Sequence, residues 1–240
     1  MNMRIVAFLI VVLACALCPP VKAQRTSGRG VDSYFTSKRN EDAVLKYLRP
    51  ALRAGGYVAR IYYSGRCQLG SGGSDIGAFV SFPQIHVRPP HNLGVLAVKE
   101  MFRGDTDVAV FKEPHKIISI SLGHPAMAIL RTRVSVLKLA RIAQYNPSLV
   151  IGAIESAREV RAAMARLRLR VPIVLSAQLI ALPAKGLPHL PATMRNVTMD
   201  QVLDLVALTF KGIVVYGVCT QTQGGGMYDI DFTGLGGTMK

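Results

Sequence analysis

The side chains that could carry chemistry are few and poorly grouped. The five histidines, His86, His91, His115, His124 and His189, show no His-x-x-x-His spacing, and no Cys-x-x-Cys pair lies beyond the first 23 residues. A metal site needs several such ligands converging on one ion, so the spacing points to no metal and no cofactor. For nucleophilic catalysis there is no Gly-x-Ser-x-Gly elbow. Ser71 and Ser74 sit in Gly70-Ser71-Gly72-Gly73-Ser74-Asp75, which lacks the Gly-Lys-Ser/Thr ending of a phosphate-binding loop and reads as a flexible hairpin loop. Among the carboxylates, Asp105 and Asp107 are neighbouring loop acids, and Asp229 and Asp231 share one face of a strand. Asp200 and Asp204 suit the positive N-terminal end of a helix. Spacing alone does not make an acid pair of any of these, so no catalytic residues are expected and the chain reads as a non-enzyme.

What remains is charge and two thiols. Arg158, Arg161 and Arg168 fall near one helical face, with Arg166 and Arg170 close by, which fits either a solvated helix surface or a polyanion-binding site. The chain as a whole carries a formal net charge of +15. Such a balance favours encounter with anionic surfaces: lipid, lipopolysaccharide, cell-wall polymer or nucleic acid. Cys67 and Cys219 form an even pair, so they are either bonded across the chain or two buried thiols.

The first residues set the compartment. Arg4 precedes an apolar run from Ile5 to Leu17, and Val21-Lys22-Ala23 offers a small-residue cleavage site. This is the pattern of a secretory signal peptide, residues 1–23, and the run is shorter than the ~20 residues a bilayer span needs. Cleavage there removes Arg4 and Lys22 and no acid, lowering the net charge from +15 to +13. The alternative is lipoprotein processing at Cys15, within Val12-Leu13-Ala14-Cys15. Either way the expected location is periplasmic or secreted, where nucleic acid is an unlikely partner and the compartment allows a Cys67–Cys219 bond without deciding between it and two buried thiols.

These residues are held by elements of α+β type. Residues 24–40 are polar and read as a flexible tether, and order is expected from Glu41, with Val44, Leu48, Ala51 and Leu52 on one helical face and Gly55-Gly56 as its stop. Tyr57–Tyr63 reads as a strand carrying Ala59, Ile61 and Tyr63 on one face and Arg60 on the other. A second helix, capped by Asn92 and stopped by Gly104, leads into a hairpin made of Val108–Phe111 and Ile117–Leu122. Met127, Leu130, Val134 and Leu137 read as the apolar face of a connecting helix. Asn146-Pro147 then caps a helix running to about Leu169, with Gly152 as a weak point.

The clearest unit is Asn196–Gly217, N-V-T-M-D-Q-V-L-D-L-V-A-L-T-F-K-G-I-V-V-Y-G. Thr198 and Gln201 form a capping-box pattern, Met199, Leu203, Val206 and Phe210 share a face, Gly212 is the stop, and Ile213–Tyr216 is a strand. At a shift of 108 residues, Val95, Val98, Phe102, Arg103 and Gly104 fall on Leu203, Val206, Phe210, Lys211 and Gly212. Ile117–Leu122 is matched by the alternating Tyr228, Ile230 and Phe232. The expectation is therefore two similar units, 41–123 and 153–235, each helix-strand-strand-helix-strand-strand, joined by a helical connection at 124–152 and closed by a tail at 236–240.

The Asn196–Gly217 stretch resembles the short N-terminal domain of secretins and TonB-dependent receptors, well over Leu187–Phe232 and more weakly over Phe82–Gly123. The resemblance implies a tandem of periplasmic α+β modules that dock other proteins and carry no catalytic residues. No barrel or secretin core follows Lys240, so the partner implied is an unidentified envelope protein. The leading expectation is an adaptor that recruits a partner through exposed sheet edges, and the alternative is an envelope protein binding an anionic polymer or lipid through Arg158, Arg161 and Arg168.

Overall fold

The computed structural model describes residues 27–69, 77–172, 183–221 and 225–236. The signal-peptide and Cys15 expectations, the Gly70–Asp75 loop and the last tail residues lie outside these. The chain is α+β, built on one mixed six-stranded sheet. Its strands are β1 (Val58–Ser64), β4 (Val108–Glu113), β5 (Ile117–Leu122), β7 (Leu169–Arg170), β9 (Gly212–Gln221) and β10 (Gly225–Gly234). They lie in the order β4-β5-β1-β9-β10-β7. β5, β1 and β9 run parallel, and the flanking hairpin strands β4 and β10 are antiparallel to their neighbours. Two short ribbons complete the strands: β2 (Arg66–Gln68) with β3 (Phe79–Ser81), and β6 (Arg133–Lys138) with β8 (Thr193–Thr198).

Strand alternation sends successive residues to opposite faces, and each face is covered. Ala59, Ile61, Tyr63, Ile118, Ile120, Ile213 and Val215 face a core closed by the helices α1 (Ser27–Gly55) and α2 (Gly94–Met101). Val58, Tyr62, Val214, Tyr216 and Tyr228 face a second core. That one is closed by α3 (Pro147–Glu155), α4 (Arg158–Leu167), α5 (Met199–Phe210) and the β6–β8 ribbon. The buried tyrosine hydroxyls find acceptors, Tyr216 donating to the Ala126 carbonyl at 2.9 Å and Tyr228 to Met164 Sδ at 3.4 Å. Without those partners each would carry the cost of a desolvated hydroxyl.

The capping box forms as read: Thr198 Oγ1 accepts the Gln201 N–H at 3.2 Å and Gln201 Oε1 accepts the Thr198 N–H at 2.9 Å. The stop after α5 is a correction. Lys211 takes the left-handed conformation (φ 52), and Gly212 already belongs to β9. Glycine is needed at 212 for closeness, since a Cβ there would lie 2.2 Å from the Phe232 ring.

Three further expectations are corrected. Residues 24–40 are not a tether where they are described, because α1 begins at Ser27. The part from Tyr34 to Asn40 is held by tertiary contacts: Ser37 Oγ accepts the Phe82 N–H at 2.8 Å, Asn40 donates to the Phe82 carbonyl at 3.4 Å, and Tyr34 meets Phe79 edge-on. Residues 124–152 are not a connecting helix, because Arg133–Lys138 is β6, paired antiparallel with β8. Val134 and Leu137 are both buried although three residues apart, which mimics a helical spacing. Opposite them Asn196 adopts φ 53, a departure from regular strand geometry. Finally, the helix after Asn146 breaks at Ser156-Ala157 rather than Gly152, giving α3 and α4.

The two-unit repeat is not confirmed. β4-β5-β1 and β9-β10-β7 have the same internal order, but β1 pairs with β9 in register from Ala59↔Ile213 to Ser64↔Val218, so both halves share one sheet. Their matched helices also lie on opposite faces of it, Val98 and Phe102 in one core, Leu203 and Val206 in the other.

Candidate functional site

β4 is a six-residue strand at the edge of the sheet, and among the described residues nothing pairs with its outer side. Such an edge presents a row of backbone donors and acceptors to any extended chain. Side chains alternate about it. Val108 and Val110 pack against the α1–α2 core, whereas Phe111, one position out of phase with that set, is 56 % exposed on the opposite side. Concavities border the strand on both sides. On the α2 side, Tyr57, Leu93, Val95, Leu96 and Lys112 line a shallow cleft of about 360 Å³, with Leu93 66 % and Leu96 65 % exposed. On the other side, Phe111, Ser119, His124, Arg131 and Arg60 line a cleft of about 480 Å³.

Arg60 anchors the floor of that second cleft. It is buried on β1, donates to Ser119 Oγ at 3.0 Å, and meets Asp200 at 3.0 Å and Asp204 at 2.6 Å. Tyr62 adds a hydrogen bond to Asp200 Oδ1 at 2.9 Å. Burial pushes the Asp204 carboxyl up to about 6 against the pull of Arg60. The two aspartates thus do more than favour a helix dipole: they neutralise a buried guanidinium and pin α5 to the sheet. A lone arginine inside a β-branched and aromatic strand was the signal in the sequence, and it named no partner.

A separate cavity of about 330 Å³ lies between α1, α3 and β10, lined by Lys38, Glu41, Glu155, Asp229, Asp231 and Tyr63 among others. Lys38 pairs with Glu41 at 2.9 Å and reaches Asp231 at 3.8 Å. Burial pushes Glu155 up to about 8 and Asp229 up to about 6, and it raises Glu41 despite the lysine. Glu155 and Asp229 can therefore hold protons near neutral pH. Asp229 and Asp231 do share this cavity, as their strand spacing allowed, but Glu41 and Glu155 come from distant helices and were not singled out. Among the described residues no three His, Cys, Asp or Glu side chains converge as a metal site.

The predicted residues lie apart from these clefts. Arg158 and Arg161 are exposed on α4, and Arg168 is its exposed left-handed cap (φ 53). Cys67 and Cys219 are bonded, with Cα atoms 5.3 Å apart, tying β2 to the central strand β9 across 152 residues. No protein-family model, curated protein or solved structure matches this chain. The resemblance to the short N-terminal domain of secretins and TonB-dependent receptors rests on its own residues, and the free β4 edge, the cavity and the basic surface carry any functional argument.

Proposed function

We propose that this chain is an exported, non-enzymatic interaction module that takes an extended segment of a second envelope protein onto β4 as a seventh strand. The observation that carries the reading is the free edge of β4 with a cleft on either side of it. In strand addition the backbone supplies affinity and pockets for alternate side chains supply selectivity. An incoming strand would place one set of side chains among Leu93, Leu96 and Tyr57 and the other set beside Phe111. The net charge of +15 disfavours pairing with a second copy and favours an acidic segment. Export is supported by the signal-like first 23 residues and by the Cys67–Cys219 bond, which suits an oxidising compartment.

The test is selection of short peptides against the folded protein, with Leu96→Asp/Phe111→Asp as the counter-selected variant. Hydrogen exchange then locates the binder. Slowed exchange of β4 amides in the complex, lost in the variant, supports the reading. Binders that protect other elements and leave β4 unchanged overturn it.

A further inference from the structure

The charge of the chain is unevenly placed. Residues 114–199 hold twelve of the 29 lysines and arginines but only two of the 14 acids, Glu155 and Glu159. Neither acid offsets the outer surface freely. Glu155 lines the α1–α3 cavity, and Glu159 accepts the Ser135 hydroxyl at 2.6 Å and its N–H at 3.3 Å. That pair of bonds also seats α4 beside β6, so the exposed side of the ribbon and the start of α4 adjoin. The ribbon buries Val134, Leu137 and Met194 and exposes Arg133, Lys138 and Arg195. Arg141 continues the exposed basic surface just beyond β6, and Arg158 adds to it from α4.

Within this basic surface stand two exposed aliphatic side chains. Val136, opposite Arg195 in the ribbon register, is 39 % exposed, and Ile142, next to Arg141, is 37 % exposed. A soluble polyanion gives such groups no apolar phase to enter. The interface of a bilayer does, and its anionic headgroups attract the surrounding cations. We propose that the outer side of the β6–β8 ribbon, with Arg158, is a docking face for an anionic phospholipid bilayer. None of its residues belongs to β4 or lines either cleft beside it, so separate variants test the two readings, which succeed or fail separately. Arg161 lies roughly half a turn around α4 from Glu159, away from the ribbon, and so contributes little.

Vesicle co-sedimentation decides the matter, using phosphatidylcholine with and without phosphatidylglycerol. Binding is expected only with phosphatidylglycerol. Arg133→Ala/Lys138→Ala/Arg195→Ala should lose about a hundredfold in affinity, at about fivefold for each basic residue near the surface. The corresponding change to lysine at Arg133 and Arg195 should retain binding, and Arg161→Ala should leave it nearly unchanged. Val136→Ser/Ile142→Ser should weaken vesicle binding and leave retention on soluble polyphosphate as it was. An unchanged thermal midpoint verifies that each variant is folded. Equal binding to neutral vesicles, wild-type binding by the triple alanine variant, or vesicle binding indifferent to Val136→Ser/Ile142→Ser would overturn the proposal, the last in favour of a soluble polyanion.

Discussion

The helix-strand units α2–β4 and α5–β9 share one pattern of apolar residues and differ in almost everything the pattern does not specify. α5 is twelve residues long, carries a complete capping box, and feeds a ten-residue strand at the centre of the sheet. α2 is eight residues long, begins at Gly94 (φ 63) after an N-cap, Leu93, with no side-chain cap, and feeds the edge strand β4. Asn92, which resembled the cap, instead donates to the Glu100 carboxylate at 2.9 Å. At the matched positions both helices are buried, Leu203 and Val206 in one core and Val98 and Phe102 in the other, but α2 also exposes Leu93 and Leu96, where α5 carries Gln201 and Asp204. The shared periodicity thus makes a core in both places, and the contact surface on α2 comes from leucines that lie off the shared pattern. The difference lies in what flanks the strand, since β9 has neighbours on both sides and β4 on one.

The largest expected effect breaks the comparison at its better-anchored end. Reducing the Cys67–Cys219 bond, or replacing both residues with alanine, releases a closure of 152 residues onto β9. It should cost roughly 4–5 kcal/mol in the chain-entropy account. Denaturant midpoints with and without reductant measure it, and a loss below about 1 kcal/mol would show that packing alone holds β2 to the sheet. Next, Leu203→Ala should destabilise by about 3 kcal/mol, because it empties a fully buried site, while Leu96→Ala should stay within about 0.5 kcal/mol. Equal losses would erase the distinction between the two helices.

Protonation acts on the second hairpin through the cavity beside β10. Glu155 and Asp229 have folded-state values of about 8 and about 6, above their ordinary 4.5 and 3.8. A raised acid binds its proton more tightly in the folded state, so stability is lost as pH rises from the ordinary value through the folded one. The thermal midpoint should therefore fall between about pH 5 and pH 8. Glu155→Gln should flatten the upper part of that fall and gain on the order of 2 kcal/mol at pH 8. A midpoint that rises over this range would contradict the assignment.

The smallest effects concern local chemistry at the two units. Thr198→Ala removes the α5 capping box and should cost about 1 kcal/mol. The β4–β5 turn places His115 (φ 58) and Lys116 (φ 63) in left-handed geometry that asparagine and glycine adopt more readily. His115→Asn/Lys116→Gly should gain about 1 kcal/mol, read from the same midpoints. A loss there would mean that the two side chains hold the turn through contacts of their own.

Much of the local structure was legible in the residues alone. The capping box at Thr198, the alternation of β5 and β10, and the faces of Ala59, Ile61 and Tyr63 follow from spacings that repeat every two or three to four residues, whatever surrounds them. The evenness of the two remaining cysteines raised their pairing without settling it. Tertiary structure decided the rest. Residues 27–40 carry few apolar groups, and their helix is held by Ser37, Asn40 and Tyr34 against a strand some forty residues away. Val134 and Leu137 have the spacing of a helix face, and only the pairing of β6 with β8 makes their segment a strand. The partners of Arg60 are 140 and 144 positions distant, and the carboxyls of the β10 cavity come from three elements. Periodicity reports the conformation a segment prefers and which of its faces is apolar. Which segments meet, and therefore which strand is left with an open edge, depends on closing long loops whose cost and reward no local pattern contains.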